Sequence, residues 1–442
     1  MKILSVGGGG REHAIVKALA KSGAEIYAAM GNRNPGIVRA SRGFKLVKDT
    51  DIEKVVDFAT ESGVEIAFIG PEAPLEIGLV DALVEEGIGC VGPTRNAARI
   101  ETSKAFMRGL MSDHKIPGNI EFCTFYDFDS AREYVLDADK EVAVKPVGLT
   151  GGKGVKMQGE HLKDKEEVIR YVREIFDNKI GGGGVVLEER LEGEEFTLQA
   201  FCDGRTVVPM PLVQDHKRAF EGDSGPNTGG MGSYSMEDHV LPFMTGKEFD
   251  LAMDVMRKVV GAMAKEGCPY VGVLYGQFML TRNGPKVIEF NARFGDPEAM
   301  NVLPVLESDF LGICEDIVAG RLSPSNVRFE RKATVCKYVV PEGYGTKSKS
   351  GHEIRVDEEG VSNEGAHLYY ANVNEENGRI MTTSSRSIAV VGLEDSIERA
   401  EEVCEMGLRH ISGDAIYVRH DVGKKELIQK RIDHMKRIRG AT

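Results

Sequence analysis

Positive charge is what this chain is short of: 56 lysines and arginines face 69 aspartates and glutamates, a formal net charge of -13. That balance argues against broad binding to nucleic acid or to an anionic membrane surface, so an anionic ligand needs a local cationic pocket. Long apolar runs are missing as well. No stretch approaches the roughly 18 consecutive apolar residues of a membrane-spanning helix. The first residues carry a strand pattern rather than a leader, so we expect no signal peptide and a cytoplasmic location. The 7 cysteines are scattered with no CxxC pair, which speaks against a thiolate zinc site and fits reduced thiols. Repeats and low-complexity tracts are absent. What remains, 442 residues with 41% hydrophobic and 28% charged content, is ordinary for a globular protein and long enough for two to four domains.

Residues 1–101 alternate short apolar strands (Lys2–Val6, Glu25–Ala29, Phe44–Val47, Glu65–Ile69, Ile88–Val91) with amphipathic stretches such as Glu12–Lys21 and Asp51–Glu61. That rhythm predicts an α/β domain with a doubly wound parallel sheet, its ligands at the carboxyl ends of the strands. From 102 to about 325 the pattern turns to α+β, with a flap subdomain at about 120–190 built around a glycine-rich hairpin. Residues 326–442 suggest a small terminal α+β domain. The basic final helix, Lys424–Arg439, reads as a solvated face.

The most informative stretch is Lys286–Glu298, KVIEFNARFGDPE. Side chains two apart on a strand share a face, so Glu289 and Asn291 point together and Arg293 follows at the next step. A carboxylate and an amide oxygen suit a hard divalent cation that shares its oxygens with phosphates. Arginine supplies a planar fork for phosphoryl or carboxylate oxygens. A salt-bridged strand end is the competing account.

Gly7-Gly-Gly-Gly-Arg-Glu-His13 follows a strand and opens a helix, where backbone N–H groups and the helix dipole favour an anion. It is not a dinucleotide fingerprint, because Glu12 stands where the last glycine belongs, and the second strand ends without a ribose-binding acid. A monophosphate beside Arg11 fits better; a turn without ligand is the alternative. Gly148–Gly154 is no P-loop, because Gly154 and not Ser or Thr follows Lys153, and a strand follows. It can fold over phosphates as a flap, with Lys145 as a fixed second cation. Glu188–Glu195 reads as a linker able to hold an adenine by its backbone and a ribose by a carboxylate, or as a solvated acidic turn. Asp215–Arg218 and Gly225–Gly232 form a polar, glycine-rich loop that either approaches a ligand or stays a surface loop.

Together GGREHA, GPEAPL, SKAFM, GGKGV, QDHKRAFEGDSGPNTGGMGSYS and RFGDPEAM resemble the phosphoribosylamine–glycine ligase family of ATP-grasp enzymes, from Met1 to about residue 325 and more weakly beyond. The resemblance implies ATP-dependent ligation of glycine to 5-phosphoribosylamine through glycyl phosphate, in purine biosynthesis. It implies ATP with Mg²⁺ or Mn²⁺, small-molecule partners only, and a monomer or small homo-oligomer. Glu289 and Asn291 match the metal ligands. Gln277 stands where many ATP-grasp enzymes carry glutamate and is expected to be at best a weak ligand. Lys104, Lys145, Gly151, Gly152, Lys153 and Gly154 match the ATP-phosphate elements, Glu188 and Leu191 the adenine linker, and Glu194 or Glu195 the ribose acid. Arg293 matches the arginine that steadies the acyl phosphate, with Lys153, Asp215 and Lys217 beside the chemistry. Gly10, Arg11, Glu12, Asn34, Gly36 and Glu72 match the phosphoribosylamine site, and Asn227, Thr228 and Asp296 further substrate contacts. A related aminoimidazole ribonucleotide carboxylase lacks the PNTGGMG and RFGDPE loops, and a non-catalytic nucleotide-binding module would show no glycine-dependent ADP release.

Overall fold

The apolar alternation at the N-terminus folds as its period requires. In the computed structural model, which describes residues 1–150 and 154–440, β1 (Lys2–Val6), β2 (Glu25–Met30), β3 (Gly43–Leu46), β4 (Ile66–Ile69) and β5 (Gly89–Val91) form a parallel sheet in the order β3-β2-β1-β4-β5. The order reverses between β1 and β4, so a crevice opens at their carboxyl ends. Gly7 leaves β1 and Gly70 leaves β4 at that crevice. Gly7 has φ +108, and a Cβ there would press on Glu12 and Pro71 at 2.8 and 2.9 Å, so only glycine fits. Helix α1 (Gly10–Lys21) then starts with Gly9 N–H donating to Glu12 Oε2 at 2.7 Å and buries Ala14, Ile15 and Leu19.

The flap subdomain contains β6 (Phe122–Phe125), β7 (Val142–Pro146), β8 (Lys156–Met157) and β9 (Val185–Glu189) in the order β6-β9-β7-β8. It has its own core, in which Val144, Val172, Ile175 and Val185 are fully buried. The expected hairpin is present, with Val144 opposite Lys156 across the glycine-rich loop.

A four-stranded antiparallel sheet forms the floor beneath the flap, with Glu194–Asp203 beside Val271–Thr281 and then Gly284–Asn291. The hairpin sets Gln277 opposite Glu289 and Tyr275 opposite Asn291, with a bulge between Gln277 and Phe278. That bulge re-aims the side chains of the strand beside the chemistry.

The terminal domain is less separate than its sequence suggests. One sheet runs through Gln214–Asp215, Gly232–Ser235, Ala333–Pro341, Ile388–Glu394 and His367–Tyr370. Backbone ladders therefore cross the boundary drawn near residue 326. The final helix, Lys425–Arg439, is not wholly solvated either: Arg431 reaches Glu194 (3.3 Å), His434 reaches the same carboxylate (2.5 Å), and Arg439 pairs with Glu248 (2.6 Å).

Candidate active site

Between the flap, the floor and the crevice lies a cleft of about 690 Å³, and Lys104, Lys145, Glu195, Lys217, Glu289 and Asn291 are among the residues lining it. Lys104 opens a helix capped by Ser103, whose hydroxyl accepts from Phe106 N–H at 3.2 Å. Its ammonium donates to Gly148 O at 3.0 Å, and burial lowers its pKa. Lys145 Nζ sits 2.7 Å from Glu188 Oε2 and donates to Ile288 O at 3.2 Å. Glu188 also takes Arg108 Nε at 2.8 Å. Burial alone would raise the Glu188 pKa, but these two cations outweigh it and hold the carboxyl at about 2.

The Glu188 side chain thus faces the interior, leaving only its backbone for a nucleotide; it is not part of the cleft lining, and neither is half-buried Leu191. Glu194 and Glu195 do line the cleft. Glu195 accepts from Lys217 Nζ at 2.9 Å and from Gln277 Nε2 at 2.8 Å. The charges of Glu195 and Asp215 raise the Lys217 pKa against the opposing effect of burial. Gln277, expected to be at best a weak metal ligand, faces away from the cleft. It is 1% exposed and outside the lining, its oxygen accepts from the Tyr275 and Thr197 hydroxyls, and its amide buttresses Glu195.

Arg293 donates to Asn291 Oδ1 at 3.2 Å and sits 3.3 Å from both Glu72 and Glu101. The two carboxyls diverge: burial carries Glu101 up to about 7, while Arg293 and Arg11 overcome burial at Glu72 and hold it at about 2. Glu101 also accepts from Ala292 N–H at 2.6 Å. Glu72, expected at the phosphoribosylamine site, instead lines the larger cleft and braces Arg293.

A second cavity, about 430 Å³, fills the crevice at the switch point, lined by Gly7–Gly9, Arg11, Glu12, Asn32 and Lys48 among others. Three expected contacts do not reach it. Asn34 is fully buried, donating to Gly8 O (3.0 Å) and Tyr370 O (2.8 Å) while its oxygen caps the helix Pro35–Ala40. Gly36 is buried against the His13 ring, and Gly10 packs under the Tyr338 hydroxyl. Lys48 and Asn32 were missed by motif, although both follow carboxyl ends of strands in a doubly wound sheet.

Arg11, Asp296 and Arg386 line both cavities. Asp215, Asn227 and Thr228 line the larger one. Burial and the Glu298 charge push the Asp215 pKa well up. Gly154 is buried and its carbonyl accepts from Tyr171 at 2.7 Å. Gly151, Gly152 and Lys153 lie outside the described residues.

Residues 1–101, 102–299 and 334–425 match the N, ATP-grasp (A) and C domains of phosphoribosylglycinamide synthetase. The chain is 57% identical to a phosphoribosylamine–glycine ligase of Methanothermobacter thermautotrophicus, over 99% of this chain and all of that one. It is 55% identical to the Methanoregula boonei ligase with the same coverage. The chain belongs to the phosphoribosylamine–glycine ligase family. A solved family member from Thermotoga maritima superposes with a TM-score of 0.81 at 28% identity, covering 95% of this chain and all of that one. A Campylobacter jejuni biotin carboxylase shares the fold at 13% identity, with a TM-score of 0.75 over 99% and 98% of the two chains. In family terms, the N-domain match carries the smaller cavity's glycines, the A-domain match carries Glu289, Asn291 and Arg293, and the C-domain match carries Arg386. The helix bearing Arg431 and His434 begins at the last residue of the C-domain match, so both side chains lie beyond it.

ATP-grasp enzymes use ATP with a divalent metal ion. Two hard oxygen donors on one strand face fit such an ion when phosphates and water complete its shell. Among the described residues no cluster of three His, Cys, Asp or Glu side chains could hold a metal without a substrate.

Proposed function

We propose that this chain ligates glycine to 5-phosphoribosylamine at the expense of ATP, with the nucleotide and glycine in the larger cavity and the phosphoribosyl group in the smaller. One observation carries the reading: the two cavities adjoin at Arg11, Asp296 and Arg386, so a group activated in one is within reach of an amine held in the other.

Phosphoryl transfer demands positioning and charge neutralisation more than a nucleophilic side chain. Lys104 and Lys145 supply fixed cations, and Lys153 would add a third from the flap. Glu289 and Asn291 would hold Mg²⁺ or Mn²⁺, which when bound neutralises charge on the phosphate oxygens. Arg293, kept in place by Glu72 and Glu101, faces the glycine carboxylate and then the acyl phosphate. The backbone of Glu188 and Leu191 takes the adenine, and Glu195 the ribose. Backbone N–H groups at Gly7–Gly9, with Arg11 and Lys48, receive the sugar phosphate. Asp215, Lys217, Asn227 and Thr228 form the wall over the reacting atoms.

The net charge of -13 and the inward-facing cations favour small anionic substrates over nucleic acid. No helix among the described residues is long and apolar enough to cross a membrane. A phosphate-release assay with ATP, glycine and freshly made phosphoribosylamine, omitting each in turn, tests the reading. Release that needs ATP and glycine and is strongly accelerated by phosphoribosylamine supports it; release indifferent to glycine refutes it.

A further inference from the structure

We propose that Arg386 couples the two half-reactions, by fastening the 224–231 loop to the Arg293–Glu298 turn so that the two cavities share one closed passage. The proposal rests on the preceding assignment of the phosphoribosyl group to the smaller cavity and the acyl phosphate to the larger.

Arg386 lies just before the strand Ile388–Glu394, in a segment that carries no motif. Its Nη1 donates to Gly229 O at 2.6 Å, Gly230 O at 3.4 Å and Asp296 O at 2.7 Å, and sits 3.2 Å from Asp296 Oδ1. The guanidinium stacks over the Tyr338 ring at 4.7 Å, and the Tyr338 hydroxyl donates to Asp296 Oδ1 at 2.6 Å. One planar group therefore pins three segments distant in sequence. Its side chain is only 14% exposed, yet it lines both cavities. The loop and the turn are already in close register: a Cβ on Gly230, at φ +110, would meet Asp215 Oδ1 and Pro297 Cδ at 2.8 Å. A lysine could give the charge and the donors but not the stacking of a planar group on the Tyr338 ring.

The chemistry makes such a fastening consequential. In the second step the amine nitrogen attacks the acyl carbon, the carbon–oxygen bond to phosphate breaks, phosphate leaves with the bonding pair, and the amine loses a proton. Water can attack the same carbon, returning glycine and phosphate and wasting one ATP. A closed, aligned passage favours the amine and excludes water.

The test uses full-length Arg386→Ala and Arg386→Lys. Trapping glycyl phosphate with hydroxylamine, without phosphoribosylamine, reads the first half-reaction. ADP formed per glycinamide product reads the coupling. We expect ligation in Arg386→Ala to fall at least about tenfold more than trapping does, through a raised KM for phosphoribosylamine. More than one ADP should be formed per product, and Arg386→Lys should fall between. A ratio of one with unaltered KM in Arg386→Ala would overturn the proposal. So would a proportionate loss of trapping and ligation in both variants, which is what a merely structural residue would give. Wild-type protein without glycine- and phosphoribosylamine-dependent turnover would instead remove the functional reading beneath it.

Discussion

Arg108 and Glu188 form an ion pair at 2.8 Å with side chains 0% and 2% exposed, and the same arginine donates to Val287 O and Ile288 O at 3.0 Å. This pair ties the proposed adenine linker to the strand that carries the candidate metal ligands. Removing one partner of a buried pair leaves an uncompensated charge. Arg108→Ala should lower stability by about 3–5 kcal/mol in urea unfolding. It should also weaken ATP binding, as measured by calorimetry. An unchanged midpoint would mean Lys145 alone satisfies Glu188.

Glu289→Gln keeps the shape of the strand end but removes its charge. Turnover should fall by at least about 100-fold, with apparent affinity for Mg²⁺ weakened in a metal titration of rate. Stability should stay within about 0.5 kcal/mol, since a strand-end ligand adds little to the core. Near-normal turnover would place the metal elsewhere. Chelation with EDTA should abolish activity and readdition of Mg²⁺ should restore it.

His13 predicts a pH dependence of stability. It is 5% exposed, its Nδ1 accepts from Tyr370 N–H at 2.9 Å, and burial with the charges of Lys17 and Arg39 pushes its pKa down to about 3 from the usual 6.5. The folded state therefore prefers the neutral ring. Its contribution is fully present above pH 6.5 and is lost as pH falls from 6.5 toward 3, at a slope of up to about 1.4 kcal/mol per pH unit. Urea unfolding of wild type and His13→Gln from about pH 7, above that window, to about pH 4.5, within it, should show a steeper loss for wild type. Parallel curves would assign the titration to other groups.

Gly36→Ala separates a substrate contact from a packing role. The new methyl would collide with the His13 ring. Overpacking of this kind costs about 1–3 kcal/mol. A thermal melt should show the loss, while KM for phosphoribosylamine stays within about twofold because Gly36 lies outside the cavity lining. A large KM change at unchanged stability would restore the direct contact that the motif suggested.

Much of this was legible in the chain because it rests on short periods. The five N-terminal strands follow from apolar alternation, and Glu289 and Asn291 share a face by pleat, whereas Arg293 lies in a bend past the end of the strand. Asn34, Gly36 and Gly10 were legible as special positions but not as to why. A buried cap, or a glycine under an aromatic ring, leaves the same trace in sequence as a ligand contact. Gln277 was placed on the right strand, but which partners its amide meets depends on the Tyr275 and Thr197 hydroxyls, which donate to it, and Glu195, which accepts from it, converging. Glu101, Arg386 and Arg431 were invisible, since each reaches the site from a segment with no motif of its own.

The sheet that pairs Gly232–Ser235 with Ala333–Pro341 has a practical consequence for protein engineering. A gene cut near residue 330 would not yield a tidy shortened enzyme. It would strip a neighbour from Gly232–Ser235, leaving its amides and carbonyls bare as a template for intermolecular pairing. The products of such deletions should be looked for in inclusion bodies before they are judged inactive.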